Sequence, residues 1–360
     1  MAGIKQIGKK VCVIGGSGFM ASLLIKQLLE KGYAVNTTVR DPGNPQKISH
    51  LVALQSLGEL KLFGADLAVE EDFDAPISGC ELVFQFATPV NFASEDPEND
   101  MIKPAIRGVL NVLKSCARAK DVKRVILTSS TAAVTINQLN GTGLVMDESN
   151  WTDVEYLNTA KPHSWGYPAS KALSEKAAWE FAEKNDIDLI TVIPTLTTGP
   201  SLTSDIPISV GLATSLITGN DFFFKALRGM QLLSGSISIT HVEDICRAHI
   251  FVAEKESASG RYIVCAHNTS VPELAKFLSQ RYPQHKIPTE VRRVRFRNGR
   301  NMCSIVLKAS MTVFDDIPFK AKLVISSEKL IKEGFSFKYG IEEIFDHSVE
   351  YLRSKGALKN

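Results

Sequence analysis

Residues Val11 to Ala21 impose the strongest restriction on how this chain can fold. Val11-Cys12-Val13-Ile14 is apolar without alternation, the pattern of a parallel strand buried on both faces. Gly15-Gly16-Ser17-Gly18 follows at once, and Leu23, Leu24 and Leu28 then recur at helical spacing. A strand, a tight glycine turn and a helix open a dinucleotide-binding unit. Gly15 lets the chain turn as it leaves the strand, Gly18 lets the backbone approach a pyrophosphate, and Ala21 lets the helix pack closely on the sheet. Ser17, Phe19 and Met20 stand at the helix start, where free N–H groups hold phosphate charge. The expected fold class is therefore α/β, a doubly wound parallel sheet of Rossmann type with a smaller C-terminal substrate lobe.

Composition narrows the function classes. The chain has 360 residues, 44% hydrophobic and 22% charged, with a formal net charge of +2. That is ordinary globular usage, and no global charge argues for a nucleic-acid or membrane partner. The six cysteines, at 12, 80, 116, 246, 265 and 303, never form Cys-x-x-Cys, which argues against a disulfide framework or a metal site. Met1 to Lys10 is polar and basic without an apolar stretch, and no apolar run of membrane-spanning length occurs. The expectation is a cytoplasmic protein with no membrane span. Its oligomeric state is not legible.

The second strand is expected over 34–39, with Arg40 at its end and Lys47 on the loop beyond. A carboxylate after this strand would bond the 2′-hydroxyl of NAD, whereas an arginine accommodates the 2′-phosphate of NADP. Arg40 and Lys47 therefore point to NADPH; Asp41 comes one residue later and precedes a proline turn. A third strand over 60–63 leads to Asp66 and Leu67, where the Asp66 carboxylate would either accept from the adenine amino group or cap a helix. A fourth, over 82–86, ends in the small residues Ala87-Thr88-Pro89, which suit a cofactor passing overhead. Residues 97–119 read as an amphipathic helix.

A fifth strand, 124–128, stops at Ser129-Ser130, hydroxyls at the crevice end of the sheet. Trp165 to Glu183 then reads as a helix on which Tyr167 and Lys171 share a face. An ammonium near a phenol favours the phenolate, which predicts a lowered tyrosine pKa and a proton donor for a group receiving hydride. The spacing alone means little, because Tyr282/Lys286 and Tyr351/Lys355 repeat it. Only Tyr167 follows the serine-ended strand and precedes another buried one, 189–193, which ends at Pro194.

The glycine turn, the Ser130…Tyr167-x-x-x-Lys171 set and Ile193-Pro194-Thr195-Leu196 resemble the extended short-chain dehydrogenase/reductase superfamily. Val39-Arg40-Asp41-Pro42, Trp165 to Lys171 and His241 to His249 are similar to the plant flavonoid reductases within it, most closely the anthocyanidin-reducing branch. The likeness runs over nearly the whole chain. It implies catalytic roles for Ser130, Tyr167 and Lys171, with Tyr167, Lys171 and Pro194 also at the cofactor. It implies NADPH-dependent reduction of a flavonoid, an anthocyanidin taken to a 2,3-cis-flavan-3-ol by two hydride transfers. The alternatives are a ketone reductase of the dihydroflavonol kind and a non-catalytic NADP-binding sensor. Dihydroflavonol-reducing relatives usually carry Asn where this chain has Thr135, and Phe-Ile-Gly-Ser-Trp where it has Phe19-Met20-Ala21-Ser22-Leu23.

These readings divide the chain into a Rossmann domain, 1–200, rejoined by about 235–256, and a substrate lobe, 201–234 and 257–360. Trp165, Phe222 and Phe223 are its candidates for stacking on a flat substrate, and His241 and Asp244 read as helix caps. One stretch fits badly. Residues 291–313 hold six of the 41 basic residues and no acid, between Pro288-Thr289-Glu290 and Asp315-Asp316-Ile317-Pro318, which relatives join directly. It reads as a foreign insertion. Deleting 291–313 is expected to leave or raise thermal stability and solubility; a deletion variant that unfolds makes the stretch part of the core.

Overall fold

The computed structural model describes residues 8–92, 94–139, 141–289, 314 and 317–358. The insertion read at 291–313 lies outside the described residues. The strands are β1 (Lys10–Ile14), β2 (Ala34–Val39), β3 (Leu60–Gly64), β4 (Leu82–Gln85), β5 (Arg124–Thr128), β6 (Leu144–Met146), β7 (Leu189–Pro194), β8 (Leu196–Thr198), β9 (Ile237–His241), β10 (Gly260–Val264), β11 (His267–Thr269) and β12 (Leu323–Ile325). Seven of them form one sheet in the order β10-β7-β5-β4-β1-β2-β3. Every neighbouring pair in it is parallel. The order reverses between β1 and β4, and in such sheets the crevice outside that point takes the ligand.

The helices before β7 are α1 (Phe19–Glu30), α2 (Pro45–Leu54), α3 (Asp74–Ile77), α4 (Lys103–Arg118), α5 (Val154–Ala160) and α6 (Gly166–Lys184). Those after β8 are α7 (Ile208–Ala213), α8 (Ser215–Thr218), α9 (Asp221–Ser234), α10 (Val242–Glu254), α11 (Val271–Arg281), α12 (Glu328–Lys332) and α13 (Ile341–Ser354). The unbroken apolar run of β1 feeds two cores. Val11 and Val13 pack with Leu24 of α1 and Ile245 of α10. Cys12 and Ile14 pack on the other face with Val112 of α4 and Ala178 of α6. α6 is buried on several sides, through Ala169, Ala172, Ala178 and Ala182, so its sequence shows little amphipathic stripe.

Two expectations are corrected. β10 pairs with β7 along its whole length and so belongs to the central sheet, not to the substrate lobe. The helix expected from residue 97 begins as a π-turn over Glu98–Ile102, and α4 starts at Lys103. Within 201–234, residues 201–220 hold only short helices, six residues in α7 and four in α8, too brief for a 3.6-residue repeat to show, while the 14-residue α9 fills 221–234. The lobe's core joins α8, α9, β9, α11 and α13. In α13, Ile344, Phe345, Val349 and Leu352 point inward as their spacing predicts.

His241 caps α10, its Nδ1 accepting from the Glu243 N–H at 3.2 Å. Asp244 does something else: its buried carboxylate accepts from the N–H groups of Lys338 and Tyr339 and holds the segment leading into α13. Among the described residues no helix is long and apolar enough to cross a membrane.

Arg124, at the start of β5, ties the sheet to the α10–β10 connection. Its guanidinium donates to Val252 O at 2.9 Å, Lys255 O at 2.7 Å, Glu256 O and Ala258 O at 3.2 Å, and to Asp188 Oδ2 at 2.8 Å. Arg124→Met strands these acceptors and is expected to lower stability by about 2–4 kcal/mol. Urea denaturation checks this, and a loss under about 1 kcal/mol would mean that water replaces the guanidinium.

Candidate active site

Parallel strands bring their carboxyl ends to one edge, and the glycine turn sits there. Gly15 has φ +85°, and a Cβ on it would lie 2.8 Å from the Cβ of Ala87, at the end of β4. Its N–H donates to Thr38 Oγ1 at 3.0 Å, and the Gly16 N–H donates to Thr38 O at 2.9 Å. A Cβ on Gly16 would overlap Thr37 Oγ1, which donates to Val13 O at 2.7 Å. Sequence reading gave Gly16 no task, yet packing against β2 demands a glycine there.

Gly18 is the reverse case. It is exposed, with φ −77°, and a Cβ on it would meet only Gly15 O, at 3.3 Å. The protein's own packing does not require a glycine at this position; close approach by a ligand would. α1 begins here with no side-chain cap and no acid in its first turn, so Phe19 and Met20 open a helix whose N–H groups are available to an anion. Ser17 completes the turn, half-buried. The glycine turn therefore fits a pyrophosphate.

Arg40 is exposed just past β2. Lys47, in the first turn of α2, is paired with Asp205 at 2.6 Å. Asp41 accepts from the Gly43 N–H at 2.9 Å and so is engaged in its own turn. Asp66 Oδ1 accepts from the Ala68 N–H at 2.8 Å within a turn and caps no helix, a correction of the capping alternative. Leu67 lies against Gly108 of α4, where Asn111 Nδ2 donates to its carbonyl at 2.9 Å. Ala87, Thr88 and Pro89 are half-buried beyond β4, and Pro194 closes β7.

Ser130 follows β5 and opens a 3₁₀ turn, Thr131–Ala133, with its Oγ accepting from the Ala132 N–H at 3.2 Å. Tyr167 and Lys171 lie one turn apart on α6. Lys171 is 6% exposed, and no described residue hydrogen-bonds or pairs with its ammonium. Burial pushes that ammonium down to about 8, with the Glu175 carboxylate acting the other way. The expected lowering of the phenol is corrected. Burial raises Tyr167 above its ordinary value, and the opposing influence comes from the Ser130 hydroxyl, not from Lys171.

Phe92 was missed. Its ring lies 5.2 Å from that of Tyr167 although it is 45% exposed, and no periodicity in its loop marks it. The sequence-read aromatics disperse instead. Phe222 is 76% exposed, Phe223 covers Gly211, and Trp165 packs with Ile102 and Leu157. The two control tyrosines are elsewhere. Tyr282 ends α11 and donates to Asp346 at 2.7 Å, while Tyr351 lies on α13.

Fold and site together define the class, a dinucleotide-dependent oxidoreductase of Rossmann type. Among the described residues no cluster of His, Cys, Asp and Glu is arranged to hold a metal. The chain belongs to the NAD dependent epimerase/dehydratase family, whose model matches residues 11–266. It is 68% identical over 361 residues to an anthocyanidin reductase ((2S)-flavan-3-ol-forming) of Vitis vinifera, covering 100% of both chains. It is 58% identical to the anthocyanidin reductase of Arabidopsis thaliana over 98% of this chain and 96% of that one. The crystal structure of vestitone reductase from alfalfa superposes with a TM-score of 0.77 at 34% identity, over 97% of this chain and 99% of that one. The likeness to flavonoid reductases thus extends along the full chain.

The two glycines give a paired prediction. Gly16→Ala is expected to cost about 1–3 kcal/mol by overpacking against Thr37. Gly18→Ala is expected to change stability by less than about 1 kcal/mol and to weaken cofactor binding instead. Thermal unfolding and NADPH titration of both variants check this; unchanged affinity in a folded Gly18→Ala would remove the turn from the phosphate site.

Proposed function

We propose that this protein reduces anthocyanidins to flavan-3-ols with NADPH. The observation that carries the reading is Lys171, a buried ammonium without a described partner, one helical turn from a buried phenol. A charge left unpaired inside a protein is costly, and an anionic or hydroxyl-rich ligand relieves the cost. A nicotinamide dinucleotide carries both kinds of group.

The residues to hold it are in place. The Gly15–Gly18 turn and the first N–H groups of α1 would take the pyrophosphate. Arg40 would take the 2′-phosphate; Lys47 reaches it only by exchanging Asp205, so Arg40 carries the preference for NADPH. Ala87 to Pro89 and Pro194 would border the cofactor, and Lys171 would bind the nicotinamide ribose. When bound, NADPH supplies the hydrides, two for each flavylium cation, and one proton completes the neutral flavan-3-ol. A phenol is protonated at neutral pH and burial raises Tyr167 further above its ordinary value, so Tyr167 holds a proton to give, and Ser130 is placed to hydrogen-bond the phenol or a substrate oxygen.

Two observations support a flavylium over a dihydroflavonol. The Vitis and Arabidopsis relatives carry the anthocyanidin reductase name over their full or nearly full length. Thr135 also withholds its polar group, donating its hydroxyl back to Thr131 O at 3.0 Å.

Tyr167→Phe is expected to lower kcat by about 10²–10⁴ with little change in NADPH affinity, while Tyr282→Phe stays near wild type. Steady-state NADPH oxidation with cyanidin checks it, and near-normal turnover in Tyr167→Phe rejects the role. Measured side by side, kcat/KM should favour cyanidin over dihydroquercetin; the opposite ratio assigns the ketone reaction. Arg40→Asp should erode the preference for NADPH over NADH, and equal use of both cofactors by the wild type would overturn the phosphate assignment.

A further inference from the structure

Tyr167, Lys171 and Glu175 succeed one another at four-residue spacing on α6, so they form one column along the helix. The mechanism above uses the first two. Glu175 is 1% exposed, and its carboxylate is a junction. Oε2 accepts from the Ser129 hydroxyl at 2.6 Å. Oε1 accepts from Arg261 Nε at 2.7 Å. Arg261, on β10 and 8% exposed, is itself held, donating to Glu148 O and Asn150 O at 2.7 Å. Its guanidinium stacks on Trp151 at 3.7 Å.

This arrangement is costly as a stability device. Removing two charges from water costs several kcal/mol per ion, and a buried pair is often no more stabilising than apolar side chains of the same volume. Its location gives it another use. Ser129 precedes Ser130, and its N–H donates to Val192 O of β7 at 2.8 Å. With backbone and side chain both engaged, the peptide that carries Ser130 has one orientation. The same carboxylate is rooted one turn from Lys171. One group therefore bonds to the strand end that presents the serine and belongs to the helix that presents the tyrosine and lysine.

We propose that Glu175 is a positioning residue, which through Ser129 sets the Ser130 turn in register with the Tyr167–Lys171 turn. The proposal rests on the assignment of Ser130, Tyr167 and Lys171 made above. Arg261 holds the carboxylate in place and anchors it to β10.

Three full-length variants test it with cyanidin and NADPH. Ser129→Ala removes the link to the serine turn and leaves the Glu175–Arg261 pair whole. Glu175→Leu/Arg261→Met removes the link together with both charges, so neither member of the pair is left as an unpaired buried ion. Tyr167→Phe is the control for the site itself. Both linkage variants should stay folded by circular dichroism, bind NADPH and cyanidin within about twofold of wild type, and lose about tenfold in kcat, the scale of one lost hydrogen bond in the transition state. A loss confined to KM, or kcat within about twofold of wild type in a folded Ser129→Ala, overturns the proposal and leaves Glu175 a structural ion pair. Should the double variant unfold, Ser129→Ala still decides. Wild-type turnover in Tyr167→Phe would instead overturn the site reading, and the proposal with it.

Discussion

Every strand of the central sheet runs the same way, and the rest of the molecule depends on that constraint. A parallel pair cannot close with a hairpin, so each strand needs a return path over a face of the sheet. The returns bury both faces, which is why β1 is apolar at successive residues and splits its side chains between two cores. The same polarity brings every strand's carboxyl end to one edge. Gly15 after β1, Ala87 after β4, Ser130 after β5 and Pro194 at the end of β7 are separated by up to 179 residues of chain, yet they lie along one edge of the sheet. The strand order reverses between β1 and β4, where the glycine turn leaves the sheet against Ala87.

Charge inside the protein is handled in two distinct ways. Asp244, Glu175, Arg124 and Arg261 are buried, and each is fully engaged by side chains or backbone groups. These groups tie elements together: Arg124 joins β5 to the segment before β10, and Asp244 secures the approach to α13. Lys171 differs, because its burial is as deep and its ammonium has no described partner. Burial lowers its proton affinity and raises that of Tyr167. Desolvation therefore acts on both members of the pair in the direction of neutrality, which at neutral pH leaves the phenol with a proton to donate.

Much of the fold could be read from pattern alone. The bounds of β2 and β5 coincide with the strands expected over 34–39 and 124–128, and the inward face of α13 follows its 3.6-residue spacing. Regular elements that bury one stripe or two faces write that burial into their composition. The stretch 201–220 does not, because α7 and α8 end before a repeat can form. β10 was misplaced for a different reason: a strand shows how it is buried, not which sheet takes it. Asp66 and Lys47 carried the right chemistry for a cofactor, but Asp66 is engaged by Ala68 and Lys47 by Asp205, partners that spacing does not disclose.

The amino-acid sequence by itself determined the strand–glycine–helix opening, the parallel doubly wound class and the chemical types available at the strand ends. Those properties are local, since they follow from periodicity and from the conformational freedom of a few residues. Only the tertiary structure decided which of three Tyr–Lys pairs meets the serine, that Gly16 is required by Thr37 while Gly18 faces outward, and that Phe92 lies beside the phenol. It also decided the direction of the Tyr167 shift, which the Tyr–Lys spacing had indicated wrongly. Each of these depends on which distant segments share a volume and on how much water remains there, and neither quantity is carried by residues near one another in the chain.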